Sequence, residues 1–344
     1  MEIVIGLLII AVGAFCQSSC YVPINKIKDW SWESYWIVQG VFAWLVLPLF
    51  GAMLAVPEGH SFFELFAAGS SFNIWMTMLF GVLWGVGGLT FGLSMRYLGV
   101  ALGQSIALGT CAGLGTVMGP VLLNIFFPEQ NALASLTFAV LLGVAVTLLG
   151  IAIIGVAGSM KAASLSEEEK KAAVKDFNFP KGLAIALLAG FMSGCFNVGL
   201  EFGKDINFGE LTPDMYKTLP ATFLVTLGGF LTNAAYCFFQ NSKNGTWSDY
   251  GKANVWGNNL LFCILAGALW YSQFFGLSLG KGFLTESQTL MTLSFCILMA
   301  LNVVFSNVWG IILKEWKGCS QKTVAVLVVG IIVLIISSFL PQML

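Results

Sequence analysis

The sequence predicts an all-α polytopic membrane protein, with ten transmembrane helices arranged as two inverted five-helix repeats. Three observations carry this. Of 344 residues, 58% are hydrophobic and 10% charged, against about a quarter charged in ordinary soluble domains. Ten apolar runs reach the roughly 20 residues that a hydrocarbon core of about 30 Å requires of a helix, and nearly all charge lies between them. Finally, G-x-L-W followed by F-G-L-S occurs twice, as GVLWGVGGLTFGLS at 81–94 and GALWYSQFFGLS at 267–278.

Taken in order, the runs fall at 3–25, 34–56, 73–95, 101–125, 133–157, 182–203, 218–240, 256–279, 287–310 and 323–341. The first reads as a span and not as a cleaved signal, since Glu2 is its only early charge and no small-residue cleavage site follows. Between the second and third, EGHSFFELFAAGSSF at 58–72 reads as a short helix on the membrane surface, with His60, the only histidine, solvated there. The third run carries Gly81, Gly85, Gly87, Gly88 and Gly92, and Gly88 with Gly92 has the small-xxx-small spacing of close helix approach. The fourth is similarly rich in glycine, and Pro120 near its end is expected to kink it. The fifth and tenth runs are almost purely aliphatic, which suits lipid or the seam of a homodimer.

One long hydrophilic stretch, 159–181, divides a first repeat (1–158) from a second (182–344). It is expected to form a solvated cytoplasmic helix, with Ser166 and Glu169 at capping-box spacing. Sliding one half over the other by 176 residues matches Gly6 with Gly182, Leu7 with Leu183, Phe15 with Phe191 and Asp29 with Asp205. An offset of 186 and then 184 superposes the two tryptophan motifs. Five spans is an odd number, so the second half enters the membrane from the opposite face, as in many secondary transporters. An intramembrane enzyme has no comparable need of such symmetry.

Charge sets the expected orientation. Thirteen of the 16 basic residues lie in the odd loops, which places those loops in the cytoplasm and both termini in the periplasm. A net charge of −1 gives no reason for a nucleic-acid partner. The eight cysteines show no Cys-x-x-Cys or Cys/His spacing, so neither a metal site, a disulfide nor a cofactor is expected.

Polar side chains inside spans are costly against lipid and usually face protein or a cavity. The candidates are Gln17 and Tyr21 in the first span, Gln104 in the fourth, Asn197 in the sixth, Tyr271 and Gln273 in the eighth and Asn302 in the ninth. Trp84 and Trp270, from the repeated motif, offer apolar faces. Amides, hydroxyls and aromatic rings together suit a neutral, hydroxyl-rich solute such as a sugar. Each is also able to serve as a plain interhelix hydrogen bond. Glu201 is the one carboxylate embedded in an apolar run and so the candidate proton-coupling group, with a boundary ion pair to Lys204 as the alternative.

Four segments carry a resemblance: KIKDWSWESYW at 26–36, FGLSMRYLGVALGQSIALG at 91–109, LWYSQFF at 269–275 and LKEW at 313–316. In these, and along its full length, the chain resembles the bacterial L-rhamnose–proton symporters of the drug/metabolite transporter superfamily. The resemblance implies ten helices in two inverted repeats, working by alternating access in the cytoplasmic (inner) membrane. It further implies proton-driven uptake of L-rhamnose or related sugars such as L-lyxose. The segment 280–289, GKGFLTESQT, departs from the family pattern. A metabolite or drug exporter of the same superfamily and a membrane sugar sensor are the competing readings.

Overall fold

The computed structural model describes residues 2–98, 100–164, 178–312 and 316–340. Among them are ten helices long and apolar enough to cross a membrane: α1 (Glu2–Ser19), α2 (Trp32–Met53), α3 (Ser71–Leu98), α4 (Val100–Phe126), α5 (Phe138–Ala163), α6 (Phe179–Phe202), α7 (Leu219–Asn244), α8 (Ala253–Lys281), α9 (Gln288–Ile312) and α10 (Gln321–Phe339). No strand occurs among the described residues. Hydrocarbon offers backbone groups no partner, and the helix satisfies them within one segment. Most of the linker expected over 159–181, including its capping box, lies outside the described residues.

The chain forms two compact units, and each draws on both halves of the sequence. The first comprises Met1–Gly85 and Gly199–Thr285; the second comprises Val86–Val198 and Glu286–Leu344. α3 and α6 are therefore each shared between the two.

Within the first unit, α1 and α8 pack along their length. Their glycines make this possible: a methyl group at Gly6 would meet the Gly280 carbonyl, one at Gly13 the Ser272 carbonyl and one at Gly276 the Ile9 carbonyl. Such backbone-to-backbone approach is what small residues provide in lipid, where apolar burial drives no association. α3 approaches α7 in the same way, through Gly81 against Val225 and Gly85 against Gly229. The Gly88 methyl position faces open space, so the close pair of α3 against α7 is Gly81 and Gly85, about two turns earlier than the spacing of Gly88 and Gly92 indicates.

α2 is not uniform. An α-helix over Trp32–Gly40 gives way to a π-helical stretch at Val41–Val46 and returns to α at Leu47–Met53. The Leu47 N–H bonds to the Phe42 carbonyl five residues back, and the next residue, Pro48, has no N–H to continue an α register.

One end of this unit is tied by polar contacts. Asn259 accepts the Lys28 N–H (3.0 Å) and donates to the Lys28 carbonyl (2.7 Å). Asp249 accepts the Ser31 N–H (2.7 Å), the Ser34 hydroxyl (2.9 Å) and the Lys252 ammonium (2.6 Å). The Trp30 ring packs edge-on against Tyr250 and Trp256. Burial alone would raise the Asp249 carboxyl, but these donors outweigh it and hold its pKa at about 2. The loop between α1 and α2 is thus fastened to the loop between α7 and α8.

In the second unit α5 packs on α4 and α10, and α9 on α4, α5 and α10. A methyl group at Gly150 would meet Leu334 and one at Gly330 would meet Ile154, so α5 and α10 mesh closely. The Thr147 hydroxyl donates to Ser337 (3.0 Å) across them. Their outer faces expose Leu141, Leu149, Val328, Val329, Ile332 and Ile336. α4 runs as one helix through Pro120.

Asp249→Ala strands the Ser31 N–H, while the Ser34 hydroxyl keeps Asn241 as an acceptor (3.0 Å); the loss of about 1–3 kcal/mol is expected to lower the thermal midpoint in detergent. The native carboxyl is held below its ordinary value of 3.8. Its stabilisation is therefore full above that pH and lost as pH falls toward about 2. An Asp249→Asn protein should lack that component of acid sensitivity, and an unchanged acid limb would reject the assignment.

Candidate functional site

Three of the tryptophans in the first unit form a closed triangle. The Trp44 ring lies 6.1 Å from Trp84 and 5.9 Å from Trp270, and Trp84 and Trp270 are 5.6 Å apart. Trp36 meets Trp44 edge-on at 5.6 Å and Phe274 meets Trp270 at 5.3 Å. The Trp36 indole N–H is engaged by Asn233, which is itself anchored to the Gly229 carbonyl.

Glycines on neighbouring positions make the room. A methyl group at Gly229 would overlap the Trp84 ring, one at Gly40 the Trp44 ring and one at Gly51 the Tyr271 hydroxyl. These three differ from the glycines of the α1–α8 contact, since they admit side chains where the others admit backbone.

In this unit several buried polar atoms have no hydrogen-bond partner among the described residues. They are the Gln17 Oε1, the Gln39 Oε1, the Trp44 Nε1 and the Tyr271 hydroxyl. Two others in this unit lie elsewhere: the Trp30 Nε1 in the loop fastening and the Asn73 Oδ1 near the start of α3. A stranded buried donor or acceptor costs about 1–3 kcal/mol, and native structures keep few of them. Of the first four, Trp44 is a member of the triangle; together they include donors and acceptors and no charged group, which is the complement of a neutral hydroxylated solute.

The residues singled out from sequence divide as follows. Trp84, Trp270, Tyr271, Gln17 and Gln273 belong to the first unit. Gln273 is buried and its amide donates to the Trp270 carbonyl at 3.1 Å. Tyr21 is also in this unit, in a single turn after α1, and is 54% exposed. Asn197 and Asn302 are buried in the second unit, where the Asn197 amide donates to the Gly115 carbonyl at 2.8 Å. Gln104 lies in α4 of the second unit, and its side chain is outside the described residues. Gln39 and Trp44 are absent from the sequence-based set. Gln39 sits on a helix read as ordinary, and nothing in VQGVFAWLVLP announces a π-helical turn.

Glu201 lies in the last turn of α6, half-buried, and its charge acts on Lys281. Lys281 is the last residue of α8 and only 8% exposed. From sequence it reads as a loop lysine. His60 is solvent-facing as expected, with its ring 2.8 Å from Glu64.

The model of the L-rhamnose-proton symport protein family matches residues 1–342. The chain belongs to that family. An L-rhamnose-proton symporter of Yersinia pestis (strain Pestoides F) is 32% identical over 343 residues, covering 98% of this chain and 96% of that protein. One from Yersinia pseudotuberculosis (serotype O:1b, strain IP 31758) has the same identity and coverage. Membership of the L-rhamnose-proton symport protein family makes this a multi-pass membrane transporter and not an enzyme.

The ring triangle supplies a test of its own. Gly229→Ala should force the Trp84 indole aside at an overpacking cost of about 1–3 kcal/mol. In a Trp84→Ala background the same substitution should cost much less. Equal losses in both backgrounds, read from thermal midpoints, would show that the clash is not with that ring.

Proposed function

We propose that the protein takes up L-rhamnose, and related sugars such as L-lyxose, together with a proton across the bacterial inner membrane. It does so by alternating access between two inverted five-helix repeats. One observation carries the reading beyond family membership. Trp84 and Trp270 occupy equivalent places in the two tryptophan motifs, and their rings meet at 5.6 Å. Equivalent residues of two repeats touch each other only near the axis that relates them, which is where such transporters bind their cargo.

The helix contacts support the repeat as well. α1 packs on α8, and its five-span counterpart α6 meets α3 at Gly87 against Ser193 and at Gly199 against Thr77. The α4–α5 contact has its counterpart in α9–α10, while α2–α7, α4–α9 and α5–α10 map onto themselves.

In this reading the C–H face of the sugar lies against Trp84 or Trp270, and Gln17, Tyr271 and Gln273 meet its hydroxyls. Tyr21, Gln104, Asn197 and Asn302 remain candidates for the same role. Glu201 carries the proton, with Lys281 as the opposing charge. When the carboxylate is protonated, Lys281 loses its counterion, so proton binding changes the balance of charge at the ends of α6 and α8. Both termini lie in the periplasm in this reading, which the distribution of basic residues supports. The exposed aliphatic faces of α5 and α10 contact lipid or a second copy of the chain.

Addition of L-rhamnose to energy-depleted cells expressing the protein should alkalinise the medium. Sugar entry with no proton movement would eliminate symport, and no sugar entry would eliminate the reading. Gln17→Ala and Gln273→Ala should each reduce uptake sharply with the protein still in the membrane; normal uptake by both would remove these side chains from the site. Glu201→Gln should let the sugar equilibrate without accumulating. Continued accumulation by that variant would assign coupling elsewhere.

A further inference from the structure

α2 presents two side chains that neither the sequence nor the family resemblance singles out. Gln39 is 1% exposed and Trp44 is 3% exposed, and the Gln39 Oε1 and the Trp44 Nε1 both lack partners. One is an acceptor and the other a donor, five residues apart on one helix. In a continuous α-helix five residues turn through about 500°, which would leave the two side chains about 140° apart. The π-helical stretch Val41–Val46 holds an extra residue per turn. Each residue there winds through less, and Trp44 swings toward the side of Gln39.

The register change is held in place from three directions. Pro48 withholds an N–H immediately after it. Gly40 leaves space for the Trp44 ring itself. On α8, a methyl group at Gly267 would press on Phe42 and on the backbone of Ala43 and Gln39. The result is a Trp44 ring closing the triangle with Trp84 and Trp270, and its N–H stays unengaged. Helical irregularities of this kind concentrate at functional sites. A buried indole N–H without a partner carries a desolvation cost, and its presence in the triangle is accounted for by a ligand acceptor.

We propose that Gln39 and Trp44 are sugar-contacting residues that set specificity, the Trp44 N–H donating to one ring hydroxyl and the Gln39 carbonyl accepting from another. The inference rests on the sugar-transport reading and names two groups of the same site. It also gives the π-helical turn a purpose, which is to bring a donor and an acceptor to one side of a helix that would otherwise point them apart.

The test uses purified full-length protein in proteoliposomes, with L-rhamnose counterflow as the readout. Trp44→Phe keeps a ring and removes the N–H; Gln39→Leu keeps the bulk and removes the acceptor. Each should raise KM about tenfold, the size of one hydrogen bond, and should flatten discrimination against the one deoxy-sugar that lacks the hydroxyl it contacts. Trp30→Phe makes the same chemical change in the loop fastening and should leave KM alone. In the unaltered protein labelled with 15N at indole nitrogen, L-rhamnose should move a tryptophan resonance that Trp44→Phe removes. A native KM and native sugar ranking in both variants would overturn the proposal. So would indole signals that ignore the sugar, a result that holds even where a variant fails to fold. Absence of L-rhamnose counterflow in the unaltered protein would instead strike the transport reading itself.

Discussion

Hydrocarbon supplies no hydrogen-bond partners, and this constraint governs every polar atom in the spans. Most hydroxyls meet it locally. Thr77, Thr90, Thr110, Thr116 and Ser272 each donate to a carbonyl four residues back on their own helix. Such groups need no neighbour and carry no information about a site. Amides do so only in part, as Asn233 does with the Gly229 carbonyl and Gln273 with the Trp270 carbonyl, and their remaining groups, like an indole N–H, take partners across helices or in a ligand. Asn233 and Asn259 find them across helices, and are structural for that reason. The Gln17 Oε1, the Gln39 Oε1, the Trp44 Nε1 and the Tyr271 hydroxyl have none among the described residues; Trp44 is a member of the tryptophan triangle and Tyr271 reaches Gly51.

Glycine serves two opposed demands in the first unit. Along α1 and α8 it draws backbones together, which stiffens the pair. At Gly40, Gly51 and Gly229 it makes room for an aromatic side chain instead: Trp44 of the same helix, Tyr271 and Trp84. The first use fixes the frame and the second leaves an interior of rings with polar edges. Both arise from the same absence of a Cβ, and only the partner atom distinguishes them.

That distinction explains what was legible in the sequence. Span number follows from hydropathy, because a bilayer demands length and apolarity of each crossing separately. Trp84, Trp270, Tyr271 and Gln17 were visible because they interrupt apolar runs or recur in a repeated motif. Trp44 and Gln39 were not, since a tryptophan and a glutamine in a second span are unremarkable until the π-helical register places them. Lys281 was misjudged for a related reason. Its position at the end of a run suggests a loop, whereas α8 continues through it and buries it beside the charge of Glu201. The fastening of Asp249 and Asn259 to residues 28–34 was equally invisible, being a contact between positions more than 200 residues apart.

The interleaving of the halves bears on how such a chain could move. Neither compact unit is one half of the sequence, since each takes helices from both. A chain built this way cannot rock one sequence half against the other as a rigid body without tearing the α1–α8 and α5–α10 contacts. α3 and α6 are the helices that belong in part to each unit, dividing near Gly85 and Val198. There the helices are rich in small residues, with Gly85 and Gly87 on α3 and Gly194 and Gly199 on α6. Trp84 of the triangle stands on α3 one residue from that division, so under the proposed function a ligand held against its ring bears on a helix that belongs to both units.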